Sequence, residues 1–265
     1  MSIKKIISYF LIFILVALIT YLIVDRNPGE SKVPERVTLQ NEFDYLPTST
    51  TGQVVHHDYY TLSYNERYEQ AEWVAYELKK EDLSYTNLKR PLFYQDKKVK
   101  SQSADYRNFS KSGYTKGHLC PAGDRKFSKK AYEETFLTSN VSPQTYNFNA
   151  GVWNRLEQKT RYWAEKDRKL YVVTGGILTN GLKTIGYEKV AVPDYFYKIL
   201  LDYTQSEVKA IAFLVPHRDS DKPLYEFVTS IDKIEELTGI DFFPALPDTL
   251  ENKLEADADY KKWSF

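Results

Sequence analysis

One histidine in this chain lies among cations and is followed by amide and carboxylate residues. The residues concerned are Lys116, His118, Asn140, Asn149, Glu157 and Arg161. A histidine accepts a proton from water near neutral pH, and a carboxamide oxygen is a hard ligand suited to Mg²⁺. Cations stabilise the negative charge of a pentacovalent phosphate. Together these residue types indicate metal-assisted hydrolysis of a phosphodiester bond.

A long helix over residues 148–167 is predicted to carry several of these side chains. Asn149, Trp153, Glu157 and Arg161 recur every four residues, and each step drifts by about 40° around a helix, so they form one slowly turning stripe. Asn149 and Glu157 are therefore expected on the same side. Taken alone, Asn149 is more typical of a helix N-cap, and Glu157 with Arg161 of a surface ion pair.

Other segments predict the surrounding elements. Apolar residues at helical spacing predict a helix over 71–78, and residues 230–238 predict a short helix that Ser230 caps and Gly239 ends. This mixed order favours an α+β fold with a largely antiparallel sheet. Runs of β-branched and aromatic residues predict strands over 59–64, 93–94, 170–176, 195–201 and 208–215.

Three further candidates have weaker support. Cys120 lies close to His118 in sequence, but a small buried thiol is a more common role than a nucleophile. His56 and His57 are adjacent on an expected strand and would point to opposite faces, which disfavours a shared metal ion. His217 follows a core strand, and a hydrogen-bonded histidine at the rim of the cleft is the preferred interpretation.

The charge distribution is more informative than the net charge. The chain has equal numbers of acidic and basic residues, which by itself argues against a nucleic-acid partner. However, residues 89–130 contain twelve Lys or Arg against three Asp or Glu, whereas residues 219–259 contain twelve Asp or Glu against three Lys. The basic block surrounds His118, which indicates phosphate steering. The single cysteine excludes an intramolecular disulfide framework and a multi-cysteine zinc site.

The N-terminus predicts attachment to a membrane. Lys4 and Lys5 precede residues 6–24, a run without charge that is long enough to span a bilayer. No small-residue cleavage site follows Val24, so an uncleaved anchor is preferred over a cleaved signal. The lysine pair favours a cytoplasmic N-terminus and an external domain, although cations also lie on the other flank. Secretion after signal cleavage is the alternative.

These observations divide the chain into three parts. Residues 1–25 are expected to form the anchor, and residues 26–53, which are polar and rich in turn residues, a flexible tether. The length and composition of residues 54–265 suit one globular domain.

Three linked motifs resemble the signature of the DNA/RNA non-specific endonucleases. That family's core reads Asp-Arg-Gly-His, then Asn-x-x-Pro-Gln, then Asn-x-x-x-Trp-x-x-x-Glu. Looser similarity extends over about residues 54–247. The matching residues here are Gly117-His118, Asn140 with Pro143-Gln144, and Asn149, Trp153 and Glu157.

The resemblance implies a ββα-metal (His-Me finger) fold with helices flanking a mixed, largely antiparallel sheet. It implies that His118 is the general base, that Asn149 binds one hydrated Mg²⁺, with Mn²⁺ as a substitute, and that Glu157 orients metal-bound water. Arg161 and Lys116 would contact phosphate, and Asn140 would brace the site. The implied enzyme is a sugar-non-specific endonuclease that acts on DNA and RNA and leaves 5′-phosphate ends.

Two positions depart from the motif. Thr115 replaces aspartate, and Lys116 replaces arginine, which keeps the charge but loses the bidentate fork. The alternative function is a non-catalytic, membrane-tethered nucleic-acid-binding module, for example in DNA uptake, which intact His118, Asn149 and Glu157 disfavour. A structural envelope protein with a coincidental motif is disfavoured by the spacing. A homodimer and a protein inhibitor are both compatible with the sequence.

Overall fold

The computed structural model describes residues 43–84, 86–203 and 208–265. The predicted membrane segment over 6–24 and most of the predicted tether lie outside the described residues. Within the described ranges, no helix combines the length and the apolar character that a membrane span requires.

The described residues form a mixed α+β structure, as the sequence predicts. The helices are α1 (Lys129–Glu134), α2 (Tyr146–Phe148), α3 (Asn154–Asp167), α4 (Ile231–Thr238) and α5 (Asp248–Glu255). The strands are β1 (Val54–His56), β2 (Thr61–Asn65), β3 (Gln70–Lys79), β4 (Thr115–His118), β5 (Val141–Gln144), β6 (Lys169–Gly176), β7 (Thr184–Ile185), β8 (Val190–Ala191), β9 (Tyr195–Asp202), β10 (Lys209–Pro216) and β11 (Val228–Thr229).

The main sheet of the described region contains seven strands in the order β1-β2-β3-β6-β9-β10-β11. Each neighbouring pair is antiparallel. The predicted strands over 170–176, 195–201 and 208–215 are confirmed as β6, β9 and β10. Their long apolar runs follow from their position in the middle of the sheet, where both faces are covered.

The predicted helix over 71–78 is wrong, because these residues form β3. Trp73, Val74, Ala75 and Tyr76 are all fully buried, so both faces of β3 are covered, and β2 and β6 pair with its two edges. A strand buried on both faces has no alternation of apolar and polar residues, so its pattern is easily mistaken for that of a buried helix.

The predicted helix over 230–238 is confirmed as α4. The Ser230 side chain accepts a hydrogen bond from the backbone N–H of Lys233, and Gly239 ends the helix in the left-handed conformation with φ of 69°. The Ser230 cap and the Gly239 stop are therefore both present.

A second, smaller sheet positions the motif residues. β4 and β5 pair antiparallel, with His118 opposite Val141, and α2, a π-helical segment (Asn149–Trp153) and α3 follow directly. This β4-β5-helix unit has the order of a ββα motif. α3 packs on the main sheet through Leu156, Trp163 and Ala164, which belong to the principal hydrophobic core.

The described end of the predicted tether makes hydrogen bonds with the rest of the domain. Thr48 N–H donates to Asp241 O (2.9 Å), and Trp73 Nε1 donates to Thr48 O (2.8 Å). The Thr50 N–H donates to Glu72 Oε1 (2.9 Å). These contacts place the described residues from Asp44 onward within one compact unit, Asp44–Phe265.

Candidate active site

His118 lies at the end of β4, with its ring packed between two phenylalanines. The ring centre is 5.3 Å from that of Phe93 and 5.0 Å from that of Phe136. Its Nε2 is buried and has no hydrogen-bond partner among the described residues. Burial, and then the charge of Arg90, lower the pKa of His118 to about 3. The imidazole is therefore neutral at physiological pH and can accept a proton.

Two cations gather around the same phenylalanines. Lys116 is two residues before His118 on β4, so both side chains leave the same face of the strand. The Lys116 Nζ is 5.5 Å from the ring centre of Phe93, and the Arg90 guanidinium is 5.2 Å from that of Phe136. Burial, and then Arg90, lower the pKa of Lys116. This concentration of positive charge favours binding of an anion beside His118.

Gly117 has a steric role in the motif. A Cβ atom at this position would lie 2.1 Å from Oε1 of Gln144, on the face of β4 opposite His118. Gln144 is buried and pairs with Thr115 across the β4-β5 ladder. A larger residue at 117 would displace Gln144 and shift the strand that carries His118.

Asn149 is not a helix N-cap, because its own dihedral angles are helical (φ −62°, ψ −48°) and its N–H donates to Thr145 O (3.0 Å). The side-chain Nδ2 donates to Thr115 Oγ1 (3.2 Å), and the Thr115 hydroxyl donates to Gln144 O (2.9 Å). Because the amide nitrogen is held by β4, the amide oxygen is the atom available for a cation.

The helix that carries Asn149 is not continuous. Gly151 has non-helical dihedral angles (φ −96°, ψ −109°) within the π-helical segment, and regular α-helix begins at Asn154. The predicted helix over 148–167 is therefore confirmed from Asn154 to Asp167, and the predicted stripe is interrupted at Gly151. Single π-helical turns of this kind are frequent at functional sites.

Glu157 and Arg161 lie on α3 beside a buried carboxylate. Arg161 Nη1 contacts Asp124 Oδ1 (2.7 Å), and the Tyr76 hydroxyl donates to Asp124 Oδ2 (3.0 Å). Arg161 is thus paired with Asp124, and the simple surface pair of Glu157 with Arg161 is wrong. Burial raises the pKa of Glu157 to about 7, although the positive charge of Lys198 opposes this rise.

Lys198 is a site residue that the sequence analysis missed. It is fully buried on β9, and its Nζ has no hydrogen-bond partner within the described chain. The Nζ is 5.0 Å from the ring centre of Trp153, one helical turn before Glu157. Burial lowers the pKa of Lys198, and the negative charge of Glu157 is the strongest influence in the other direction. The available signal was a lysine within the apolar run of residues 195–201.

Asn140 is buried and makes three hydrogen bonds with backbone groups. Its Oδ1 accepts from Cys120 N–H (2.8 Å), while Nδ2 donates to Cys120 O (2.9 Å) and Thr135 O (2.9 Å). These contacts hold the chain directly after His118. Since the amide oxygen is already used by the backbone, Asn140 is less suited than Asn149 to binding a metal ion.

The weaker candidates are engaged in structural interactions. Burial raises the pKa of the Cys120 thiol to about 12, so the reactive thiolate is disfavoured. His217 accepts from Thr145 N–H through Nε2 (2.8 Å), so Nδ1 carries the proton and donates to Pro193 O (2.8 Å). His57 Nε2 contacts Asp96 Oδ2 (2.8 Å). His56 Nδ1 instead forms a hydrogen bond with the Thr61 hydroxyl, so the two histidines have different partners.

The candidate site residues form two groups, and Asn149 is connected to the first of them. The first group surrounds Phe93 and contains His118, Lys116 and Arg90. Asn149 is tied to the same strand through Thr115. The second group consists of the buried and half-buried charges Glu157, Arg161, Asp124 and Lys198.

Known proteins are similar to this chain in sequence. Nuclease EXOG, mitochondrial, from Danio rerio is 37% identical over 204 residues, which cover 71% of this chain and 60% of the relative. Endonuclease G, mitochondrial, from Homo sapiens is 32% identical, covering 73% of this chain and 70% of the relative. This chain therefore spans about 60% of the length of the first of these relatives.

A solved structure of the EndoG/EndoGI complex, described as revealing the mechanism of EndoG inhibition, superimposes with a TM-score of 0.69. It is 28% identical and covers 74% of this chain and 87% of the matched chain. The sequence pattern of the DNA/RNA non-specific endonucleases matches residues 40–249, which include both groups of site residues. This chain belongs to the DNA/RNA non-specific endonuclease family.

Proposed function

We propose that this protein is an Mg²⁺-dependent endonuclease that hydrolyses DNA and RNA with little sequence preference and leaves 5′-phosphate ends. The main support is His118, a neutral histidine with a buried, unpartnered Nε2 beside two cations. Family membership supports the same reaction class.

The residues around Phe93 divide the work between proton transfer and charge stabilisation. His118 takes the proton of the attacking water, because its imidazole is neutral at working pH. Lys116 and Arg90 hold the phosphate and stabilise the charge that develops in the transition state. Asn140 fixes the backbone after His118 and so fixes the position of the base.

The donor set fits a hard divalent cation. Asn149 would hold it through the amide oxygen that the Thr115 contact leaves available, and Glu157 would orient its water ligands. When bound, Mg²⁺ supplies charge neutralisation of the phosphate. Arg161 is 24% exposed while paired with Asp124, and we propose that its exposed part contacts the phosphate.

Plasmid nicking tests this proposal. The full chain, purified in a non-ionic detergent, is incubated with supercoiled plasmid with and without Mg²⁺, beside His118→Ala and the surface control His56→Ala. We expect Mg²⁺-dependent nicking that His118→Ala reduces by about 10²- to 10⁴-fold and that His56→Ala retains. Intact plasmid under Mg²⁺ and Mn²⁺ with a folded sample, together with plasmid binding, would instead support the non-catalytic binding module.

We further propose that the chain is anchored in a membrane through residues 6–24 with its catalytic domain outside the cytoplasm. The support is the charge-free run after Lys4 and Lys5. Protease treatment of intact cells should remove the domain, whereas recovery of the domain in the medium would indicate a cleaved signal.

We also propose that a protein inhibitor binds this chain, because the similar EndoG structure is a complex with EndoGI. A pull-down with the purified chain as bait would test this proposal.

A further inference from the structure

A cluster of carboxylates lies at the helical hairpin formed by α4 and α5. Ligand oxygens of Asp232, Glu235 and Glu255 all lie within 4.8 Å of one another, and the same holds for Asp241, Glu251 and Glu255. Two helices and the loop between them therefore contribute two overlapping groups of three acidic side chains. Glu255 belongs to both triples and lies at the centre.

The central carboxylate is buried and lacks a partner. Glu255 is 8% exposed, and its Oε1 has no hydrogen-bond partner among the described residues. The Oε1 of Glu251 is also buried without a partner in that part of the chain. Buried polar atoms are normally satisfied by protein, water or an ion, so two such oxygens in one cluster are suited to binding a cation.

The electrostatics of the cluster have the same implication. Burial, followed by the charges of Glu235, Glu251, Asp232 and Asp241, raises the pKa of Glu255 to about 8. Burial and neighbouring carboxylates also raise the pKa values of Glu235 and Glu251. Carboxylates this close repel one another, and a bound cation would remove the repulsion.

The framework of the cluster is held by contacts that do not involve a cation. The N–H of Phe242 donates to Glu235 Oε1 (2.8 Å). Asp241 N–H donates to Thr48 Oγ1 (2.9 Å), and Thr48 N–H donates to Asp241 O (2.9 Å). The loop is therefore positioned beside α4 by hydrogen bonds, and the acidic side chains are brought together in advance.

We propose that Asp232, Glu235, Asp241, Glu251 and Glu255 bind one Ca²⁺ ion that links α4, the following loop and α5. Ca²⁺ accepts six to eight oxygen ligands in flexible geometry and suits a set of carboxylates. Mg²⁺ requires a near-ideal octahedron and loses its water reluctantly. It is therefore better suited to the single amide ligand at Asn149 than to this set of carboxylates. The site is separate from the proposed catalytic residues, and its role is to stabilise the C-terminal hairpin.

Calcium titration calorimetry at about pH 8 tests the site without reference to activity. All three proteins titrated with CaCl₂ are full chains that carry Asn149→Ala, which removes the proposed catalytic metal ligand. The first carries no other substitution, the second also carries Glu255→Gln, and the third also carries Glu236→Gln. Glu236 is an exposed glutamate of α4 that pairs with Lys233 and serves as the matched control. We expect one Ca²⁺ per chain, weakened at least about tenfold by Glu255→Gln and unchanged by Glu236→Gln.

Thermal unfolding separates the proposal from a folding defect. In EDTA, Glu255→Gln should be as stable as the parent or more stable, because it removes repulsion. At a Ca²⁺ concentration about 100-fold above Kd, the parent should gain roughly 5–10 °C in Tm and Glu255→Gln much less. Absence of Ca²⁺ binding, binding that survives Glu255→Gln, or a stability that depends on pH but never on Ca²⁺ would each overturn the proposal. The last result would indicate a shared proton.

Discussion

Replacing Lys198 with methionine tests whether a buried cation keeps Glu157 ionised. Lys198 is fully buried, and its Nζ lies 5.0 Å from the ring centre of Trp153, one turn before Glu157. Burial raises the pKa of Glu157 to about 7, and Lys198 is the first charge that opposes this rise, ahead of Arg161. Asp124 is the nearby charge that raises it further. Methionine has a similar length and packs well, but it carries no charge.

Coulomb's law gives the size of the effect. At a separation on the order of 6 Å and an effective dielectric constant of about 20, a unit charge contributes ~3 kcal/mol, equivalent to about two pH units in a titration midpoint. Glu157 in Lys198→Met would then be almost entirely protonated at pH 7. If the ionised carboxylate is needed to orient water, cleavage at pH 7 should fall roughly 50-fold and recover at higher pH.

The assay is the rate of plasmid nicking between about pH 5.5 and about pH 9.5 at saturating Mg²⁺. In the parent protein, the rate should fall as pH decreases through about 7, because Glu157 becomes protonated. His118, with a pKa of about 3, stays neutral over this range and adds no limb to the profile. Lys233→Met, which changes a half-exposed lysine of α4, is the control for charge removal.

Two results would refute the idea that Lys198 keeps Glu157 ionised. In the first, Lys198→Met leaves the fall in nicking rate at low pH at the same pH as in the parent. In the second, the variant loses activity equally at every pH while its circular dichroism stays normal. Glu157→Gln provides an independent check, because this limb should be missing from its residual activity. A shifted limb in Lys198→Met that is also present in Glu157→Gln would assign the titration to another group.

Four further outcomes are expected. Thr115→Val removes the hydroxyl that holds Asn149 and should raise the Mg²⁺ concentration for half-maximal nicking about 10- to 100-fold, whereas Thr115→Ser should not. Asn140→Leu leaves buried backbone groups of Cys120 unpaired and should lower the free energy of unfolding by about 2–4 kcal/mol in urea titrations. Lys116→Arg should retain or raise the cleavage rate, and a large drop in kcat would contradict this. A DNA oligonucleotide bound in EDTA should raise the pKa of His118, as followed by NMR of its ring protons, and an unchanged titration would contradict it.

The sequence predicts those parts of the fold whose residue pattern depends on local structure. The Ser230 cap and the Gly239 stop of α4 act on their own helix, so they are visible in the sequence. The helix predicted over residues 71–78 is wrong because the burial of β3 depends on segments that lie far along the chain, namely β6 beside it and α3 packed on it. Pattern alone cannot contain that information.

The same distinction applies to the site. His118 and Asn149 could be found because they belong to short motifs with fixed spacing. Lys198 is 49 residues beyond Asn149 in the sequence, and only the packing of β9 behind α3 brings its charge to Glu157. The sequence motif predicts Arg161 but not its partner Asp124, because that ion pair joins segments 37 residues apart.

Burial acts in opposite directions on the two titratable groups that the proposed reaction needs. It keeps His118 in the form that accepts a proton, and Arg90 reinforces this effect. It would also keep Glu157 protonated, so cations at Lys198 and Arg161 are needed to restore its charge. A base held at so low a pKa is weak until an anion compensates the nearby cations. Since a phosphate bound by Arg90 and Lys116 would supply that negative charge, the substrate itself should raise the proton affinity of His118 at the moment when the proton must be taken.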